Sequence, residues 1–444
     1  LLSLGFGLSF IHLFWYGSVW TAWMALICYA PFLVWLRDYS KRPWVAGLTF
    51  GLWYGLMNVT WLGQFVGRWT SSVFVGVFVV AFIGAAWGSL YGLGCWGLKA
   101  ARTDSWKIVL LLSLPVMTWV RHNLPQLEFP FAPFGEPLVV YPYTAQVGKL
   151  LWPMGYGGSH LLEFWLLAVT ILVVFAPDIV RRGRYFVSVL AGCVLLISLY
   201  PGKEPELPKT KIALGQLGFD MAYGDASMKP YQVGEAVTQL SAEARQKNAE
   251  LLILPESVTQ FIDNPVVPFP LTPDLPILFG AQHGFKPSYQ AAYLWDGNGF
   301  QHTDKVSLVV FGEYVPFRGI IPYPKGFQLP SGDLAPGTER HLIKLPNGTS
   351  IGPMICFESL FTGASSSFSG MGADVLAIMS LDDWYVGTNA IPRLAIAARW
   401  RAIETRKWVF RVGSLGKTMI IDPKGRVRAE LPVGPRRLLM LEEL

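Results

Sequence analysis

The sequence predicts a protein of two parts: a multi-pass α-helical membrane domain over residues 1–200, and an extramembrane domain of the α/β class over residues 211–444. Only 15% of the 444 residues are charged, and the net charge of +6 lies entirely in residues 1–200, which hold 12 Lys and Arg against 6 Asp and Glu. That part also contains 14 of the 18 Trp. Residues 201–210, which begin PGKEPELP, are interpreted as a linker. After them, short strand-like runs replace the long apolar runs.

The first part contains enough apolar sequence for about seven membrane crossings, since a helix needs roughly 20 apolar residues to cross the hydrocarbon core. Two crossings are expected within residues 1–36. One more is expected in each of the runs Pro43–Val66, Trp69–Leu98, Ile108–Val120, Leu151–Ala176 and Tyr185–Tyr200.

The loops between these runs predict the orientation. Three alternate loops, Arg37–Arg42, Lys99–Lys107 and Arg181–Arg184, carry three basic residues each. Lys and Arg concentrate in cytoplasmic loops, so the extramembrane domain is expected on the opposite side. In a Gram-negative cell that side is the periplasm, so the expected location is the inner membrane, with the extramembrane domain in the periplasm. No nucleic-acid partner is expected, because no basic face or nucleic-acid module accompanies the positive charge.

Two features of the membrane part have open interpretations. Glu163 is either a buried functional acid or an interfacial residue. The aromatic loop His122–Leu150 either wraps the membrane interface or forms a lipid-facing wall beside an active site.

In residues 211–444, short strand-like runs alternate with helical stretches. Helices are expected at Tyr231–Lys247 and Leu394–Lys407, and the basic stretch Arg393–Arg411 is interpreted as a solvated helix face. The proline-rich loop Phe261–Pro276 is either a membrane-dipping arm or an ordinary packed loop. Strands are expected at 212–217, 251–254, 277–280, 291–295, 350–356, 375–380 and 418–422.

Three residues that lie next to strand-like runs indicate thiol chemistry when they are taken together. Glu256 lies in LLILPES, Lys305 in TDKVSLVVFGEYVPF and Cys356 in SIGPMICFE. Alone, each has an ordinary explanation: a solvated acid, a surface lysine and a buried small hydrophobe. Together, a carboxylate can take the proton of a thiol, and an ammonium can stabilise the oxyanion that forms on attack. The three fragments contain no His, which argues against a Cys-His enzyme.

The order Glu, Lys, Cys, within LPES, DKxxLVxFGEYVPF and GxxICFE, resembles the nitrilase superfamily. The FGEYVPF phrase and the preceding helical half are similar to apolipoprotein N-acyltransferase, from Arg42 to about Arg428, and among its varieties to the TraB conjugal-transfer proteins of plasmids. The resemblance implies that residues 211–444 form a nitrilase-like (carbon-nitrogen hydrolase) domain, which is an α-β-β-α sandwich.

The same resemblance implies roles for individual residues. Cys356 is then the nucleophile, Glu256 the general base and Lys305 the oxyanion and positioning residue. Glu313 and Glu358 support them, and the backbone N–H of Phe357 completes the oxyanion hole. The candidates for substrate contact are Trp384, which either lines the acyl pocket or simply packs, and Tyr314.

The implied reaction is a two-step acyl transfer. Cys356 takes an acyl chain from a phospholipid donor and leaves a lysophospholipid. The thioester then passes the chain to an amine, the α-amino group at a lipoprotein N-terminus. The resemblance implies no metal and no small cofactor.

Departures from the family pattern keep other functions open. The chain reads SLDDWYVG at 380–387 in place of an Asn-Asp-Ala-Trp-Phe-Gly type phrase, and Pro392–Arg393 stands where a Gln-His pair is usual. A second hypothesis is therefore an amidase or acyl hydrolase that acts on another envelope substrate. The chain also reaches Leu444 without the final apolar run of the family, which motivates a third hypothesis, a non-enzymatic conjugation or envelope-assembly component.

Overall fold

The computed structural model describes residues 29–38, 41–100, 114–136, 153–181, 204–261, 265–320, 322 and 329–441. The chain divides into two compact units, Leu1–Lys203 and Glu204–Leu444. Several sequence predictions lie outside the described residues: most of the two crossings in residues 1–36, the crossing Tyr185–Tyr200, and residues 137–150 of the aromatic loop.

The described part of the first unit is helical. Its helices are α1 (Ala30–Asp38), α2 (Pro43–Asn58), α3 (Thr60–Trp69), α4 (Val73–Trp96), α5 (Leu114–Asn123) and α6 (Met154–Arg181). Within the described ranges, the segment Val73–Lys99 is the one helix that could cross a membrane by its length and composition. The predicted crossing Pro43–Val66 is divided at Val59, and α6 has non-helical backbone at Gly157 and Gly158. The multi-pass arrangement stays a prediction.

Helices α2 and α4 pack closely because glycines line the two facing surfaces. A Cβ atom added at Gly51 would lie 2.5 Å from the carbonyl oxygen of Trp87, so only glycine fits there. Small residues at four-residue spacing let two helix backbones approach, as they do in helix pairs of membrane proteins. The glycines are Gly47, Gly51 and Gly55 on α2, and Gly84, Gly88 and Gly92 on α4.

Glu163 on α6 is buried, and it anchors the described part of the aromatic loop. Its Oε1 accepts a hydrogen bond from the backbone N–H of Phe134 at 2.8 Å. Phe131 and Phe134 are both buried as well. The loop segment 130–136 is therefore packed into the first unit.

Two stacked β-sheets form the centre of the second unit. The first contains β1 (Ile212–Gln216), β2 (Leu251–Ile253), β3 (Thr259–Phe261), β4 (Ile277–His283), β5 (Tyr289–Trp295), β6 (Phe300–Asp304) and β13 (Arg437–Met440), in the order β13-β1-β2-β4-β5-β6 with β3 beside β4. The second contains β7 (Ile343–Lys344), β8 (Ser350–Ile355), β9 (Val375–Ser380), β10 (Trp408–Gly413), β11 (Thr418–Ile421) and β12 (Val427–Leu431), in the order β12-β11-β10-β9-β8-β7.

Helices cover the outer faces of both sheets. Apolar side chains of the facing sheets, such as Leu278 and Phe410, form the inner core. Helix α7 (Lys229–Gln246) packs Val233 and Leu240 on the outer face of the first sheet. Helices α8 (Thr362–Gly370) and α9 (Ala390–Thr405) pack against the second sheet. These layers form an α-β-β-α sandwich, so the fold class expected for the extramembrane part is confirmed.

The predicted strands and both helices of this unit are confirmed, with shifted ends. Six strands were not predicted: β3, β6, β7, β10, β12 and β13. In β6, the polar sequence FQHTD hides the alternation, and β10 lies inside the stretch that was interpreted as a basic helix face. In the loop that follows β3, Phe269 and Leu275 are buried against the α7 side of the first sheet, while Val266 is 72% exposed.

The interpretation of Arg393–Arg411 as a solvated helix face is wrong. Four of its five arginines, Arg393, Arg399, Arg401 and Arg411, are buried. Arg401 donates to the carbonyl oxygen of Leu360 at 3.1 Å and pairs with Glu404 at 2.9 Å. Such hydrogen bonds and a counter-charge stabilise a buried guanidinium, and the partners come from both near and distant parts of the chain.

Candidate active site

The ends of strands from both sheets bring the three candidate residues together. Glu256 follows β2, Lys305 follows β6 and Cys356 follows β8, and all three side chains are buried. Nζ of Lys305 lies 3.9 Å from Oε1 of Glu256, and the charges of both residues act on the thiol of Cys356. Residues separated by about 100 positions in sequence thus form one acid, cation and thiol cluster.

Cys356 lies on a strained turn. Its φ is +50°, and it begins the 3₁₀ turn Cys356–Leu360 directly after β8. A non-glycine residue in this left-handed region costs roughly 1–3 kcal/mol and persists only where the surroundings hold it. Here, Oγ of Ser359 donates to the carbonyl oxygen of Cys356 at 2.7 Å, and a carboxylate oxygen of Glu358 accepts from the N–H of Ile355 at 3.4 Å.

Glu313 holds the ammonium of Lys305. Its Oε1 accepts from Nζ at 2.6 Å, and its Oε2 accepts from the backbone N–H of Val309 at 2.9 Å. Burial alone would lower the pKa of Lys305, but the carboxylates of Glu313 and Glu256 raise it further than burial lowers it. Lys305 is therefore a permanent cation in this buried site.

Glu358 joins the Cys356 turn to the segment after Lys305. Its Oε1 accepts from the backbone N–H groups of Val306 and Ser307 at 3.3 and 3.2 Å, and from Nη2 of Arg340 at 3.1 Å. Arg340 also donates to Oγ of Ser307 at 2.7 Å. The supporting position predicted for Glu358 thus corresponds to a buried crosslink.

Burial sets the resting protonation of the acid and the thiol. It raises the pKa of the Glu256 carboxyl to about 7, while the charge of Lys305 acts in the opposite direction. Burial also raises the pKa of the Cys356 thiol, and the neighbouring Glu256 carboxylate raises it further. The thiol is therefore protonated near neutral pH, and its ionisation depends on proton transfer to a base. Glu256 is the neighbouring carboxylate that can accept that proton.

The rate of Cys356 acylation is expected to rise with pH up to a midpoint near 7. Below that pH, Glu256 is protonated and cannot accept the thiol proton, so the rate falls about tenfold per unit. The measurement is kcat/KM for acyl-donor consumption between pH 5 and pH 8.5. The variant Glu256→Gln should lose about 10²–10⁴-fold in rate and lose the rise. Glu243→Gln removes an exposed carboxylate and should keep the midpoint. An unchanged midpoint in Glu256→Gln would contradict the assignment.

Sequence reasoning missed four residues near the thiol. Oγ of Ser380 lies 3.6 Å from Sγ of Cys356 and 2.6 Å from Oδ1 of Asp382. Arg411 donates to both oxygens of Asp382, at 2.9 and 2.7 Å, and this buried pair fixes the chain after β9. Tyr385 is buried, and its pKa is raised by burial first and then by the charges of Cys356 and the nearby acids. Three of the four lie in the phrase SLDDWYVG, and its departure from the family pattern was the sequence feature that could have identified them.

The remaining predicted site residues are Phe357, Trp384 and Tyr314. Phe357 is buried directly after Cys356, in the position expected from the sequence. Trp384 packs against the core on the α7 side and makes an edge contact with Tyr223, with ring centroids 5.3 Å apart. The backbone carbonyl of Tyr314 accepts from the N–H of Phe311 at 2.9 Å. Substrate contact by Trp384 and Tyr314 stays a prediction.

Comparison with known families finds relatives for both parts of the chain. The family model described as carbon-nitrogen hydrolase matches residues 277–442, a range that contains Lys305 and Cys356 and begins after Glu256. The chain is 27% identical over 348 residues to an apolipoprotein N-acyltransferase of Aquifex aeolicus, covering 72% of each protein. It is also 27% identical over 427 residues to that of Allorhizobium ampelinum, covering 88% of this chain and 78% of the relative. The resemblance to apolipoprotein N-acyltransferases and to the nitrilase superfamily is confirmed.

Among solved structures, the chain is similar to an amidase of the nitrilase superfamily from Nesterenkonia AN1 and to Saccharomyces cerevisiae Nit3. The first is 16% identical with a TM-score of 0.40, covering 54% of this chain and 92% of the amidase. The second is 17% identical with a TM-score of 0.40, covering 54% of this chain and 93% of the other.

Proposed function

We propose that this protein, which is similar along most of its length to apolipoprotein N-acyltransferases, is a membrane-bound N-acyltransferase that acts through a Cys356 thioester. The observation that carries the proposal is the buried cluster of Glu256, Lys305 and Cys356. The acyl donor is a phospholipid, and the acceptor is the α-amino group of a lipoprotein N-terminus. The narrower TraB variety stays a prediction.

The first half of the reaction forms the thioester. Glu256 takes the proton of the Cys356 thiol, and the thiolate attacks the ester carbonyl of the phospholipid. The Lys305 ammonium and the N–H of Phe357 stabilise the oxyanion of the tetrahedral intermediate. Collapse breaks the ester C–O bond, and the leaving alkoxide takes the proton from Glu256. A lysophospholipid departs, and the acyl chain stays on Sγ.

The second half transfers the chain to the amine. The α-amino group attacks the thioester carbonyl, again with Lys305 beside the oxyanion. Glu256 takes a proton from the attacking nitrogen, and the thiolate leaves as the amide forms. That proton then returns to Sγ, so Glu256 and Cys356 regain their starting states.

The membrane location is part of the same proposal. The helix α4 exposes a long apolar surface, which a lipid environment would cover. We place the protein in the bacterial inner membrane as a multi-pass protein, with the catalytic domain in the periplasm, because the basic loops follow the positive-inside pattern. The exposed side chains of α4 include Val73, Phe74, Val77, Phe78, Phe82, Leu93 and Trp96.

The test is a transfer assay with the full-length protein in detergent. Phospholipid with an isotope-labelled acyl chain is the donor, and a short peptide with an N-terminal diacylglyceryl-cysteine is the acceptor. We expect the labelled chain on the α-amino group of the peptide, with one lysophospholipid formed for each amide, as measured by mass spectrometry.

The control is the same peptide with an acetylated N-terminus, which cannot accept the chain. If labelled fatty acid is released at the same rate with either peptide and no amide forms, the protein is an acyl hydrolase and the transferase proposal is wrong. If neither product forms while the labelled donor binds, the non-enzymatic hypothesis is favoured.

A further inference from the structure

Two histidines and an aspartate converge on the outer face of the first sheet, away from the candidate active site. His283 ends β4, and His302 and Asp304 lie in β6. The Nε2 atom of His283 lies 2.8 Å from Oδ1 of Asp304, and Nε2 of His302 lies 3.9 Å from the same oxygen. One ligand atom from each residue lies within 4.8 Å of the others. Within the described part of the chain, no other group of His, Cys, Asp and Glu side chains meets this spacing.

The pairing of the strands holds these side chains on one face. His302 pairs with Tyr293 across β5 and β6, and its ring stacks on that tyrosine with centroids 4.9 Å apart. His283 pairs with Tyr289, and its ring stacks there at 5.3 Å. Both imidazoles are thus oriented by aromatic neighbours on the strand between them, so little side-chain entropy is lost when they bind a ligand.

Small residues leave room beside the carboxylate. Asp304 pairs with Ala291, and Ala291 pairs with Ala281 on the next strand. The cluster is also open to solvent, because the side chains of His283 and Asp304 are 19% and 24% exposed and that of His302 is 48% exposed. An ion can therefore reach the three ligands without opening the core.

We propose that His283, His302 and Asp304 form a binding site for a divalent transition metal ion of the zinc class. Imidazole ligands select such ions over magnesium and calcium, which prefer oxygen ligands alone. Ligand atoms around a tetrahedral zinc ion lie about 3.4 Å apart at zinc–ligand distances of about 2.0–2.1 Å, and the separations here bracket that value. The fourth position takes a water molecule.

Binding exchanges one interaction for another. The hydrogen bond between Nε2 of His283 and Oδ1 of Asp304 is given up, the ring takes the tautomer with its proton on Nδ1, and Nε2 and Oδ1 then coordinate the ion. The ion would join β4 to β6 across β5 and hold the end of β6. Lys305 directly follows Asp304, after the end of β6, and its buried ammonium faces Glu313 and Glu256 instead. The site is therefore separate from the proposed reaction and acts on the strand that positions Lys305.

The test measures zinc binding by the full-length protein, purified in detergent through a tag without histidine and then treated with a chelator. Competition with a chromophoric zinc indicator should give one equivalent bound. The variants His283→Ala, His302→Ala and Asp304→Asn should each lose affinity by at least about tenfold. Binding of Co²⁺ in place of zinc should give a ligand-field absorption band that the same variants lose.

Two controls locate the site. His341→Ala removes a nearby exposed histidine outside the group, and Cys356→Ala removes the thiol as a competing ligand; both should bind zinc like the wild type. If the wild type takes up no zinc, or if the three site variants bind it with unchanged affinity, the proposal is wrong. The titration of the wild-type protein tests the proposal by itself, so the proposal can still be shown wrong if a variant fails to fold.

Discussion

Replacing Cys356 by alanine is expected to lower acyl transfer by about a thousandfold or more, because the covalent step loses its nucleophile. The wild-type protein, incubated with phospholipid, should carry an adduct of acyl-chain mass that hydroxylamine removes. Intact mass spectrometry of the two proteins, purified from their own membranes, measures this directly. The substitution removes one sulfur atom from a turn that Ser359 and Glu358 hold by other bonds, so the fold should survive.

The matched control is Cys95→Ala, the same substitution at a buried free cysteine of the first unit. That variant should keep the adduct and the transfer activity. If Cys356→Ala kept full activity on acyl substrates, the thioester mechanism would be wrong. An adduct that persists in Cys356→Ala and disappears in Cys95→Ala would assign the chemistry to a different residue.

Replacing Lys305 by methionine is expected to have the next largest effect, on both rate and stability. The rate should fall by about 10²–10³-fold, because the oxyanion loses a buried cationic partner. The free energy of unfolding should fall by about 3–5 kcal/mol, since the carboxylates of Glu256 and Glu313 are left buried without their counter-charge. Denaturation of the second unit, followed by tryptophan fluorescence, measures the stability change.

A double variant separates the two effects. Lys305→Met with Glu313→Gln removes the cation together with the carboxylate 2.6 Å from it, so much of the lost stability should return. Activity should not return, because no cation faces the oxyanion. If the double variant recovered activity along with stability, Lys305 would be a structural residue and its proposed catalytic role would be wrong.

The buried pair of Asp382 and Arg411 bears on how the thiol is held. Ser380 contacts both Sγ of Cys356 and the carboxylate of Asp382, and Arg411 neutralises that carboxylate with two hydrogen bonds. The segment SLDDWYVG, which departs from the family phrase, therefore forms a buried, charge-balanced support beside the proposed nucleophile Cys356. This arrangement fits a working thiol site better than an idle one.

The sequence by itself determined the local elements and the chemistry of three phrases. Buried strands such as Val375–Ser380 are continuous apolar runs, and α7 repeats its apolar residues at helical spacing, so both patterns are visible without a structure. The phrases around Glu256, Lys305 and Cys356 predicted which side chains form the candidate site. The positive-inside pattern predicts that the second unit lies in the periplasm, and this orientation stays a prediction.

Only the tertiary structure decided which charges are buried and which distant groups meet. Arg411 looked solvated in a basic stretch, yet its partner Asp382 lies 29 residues away and removes the cost of burial. His283 in β4 and His302 in β6 come together because these two strands lie on either side of β5. Such pairings depend on strand order and register, which are set by contacts between segments far apart in sequence, and no local pattern encodes them.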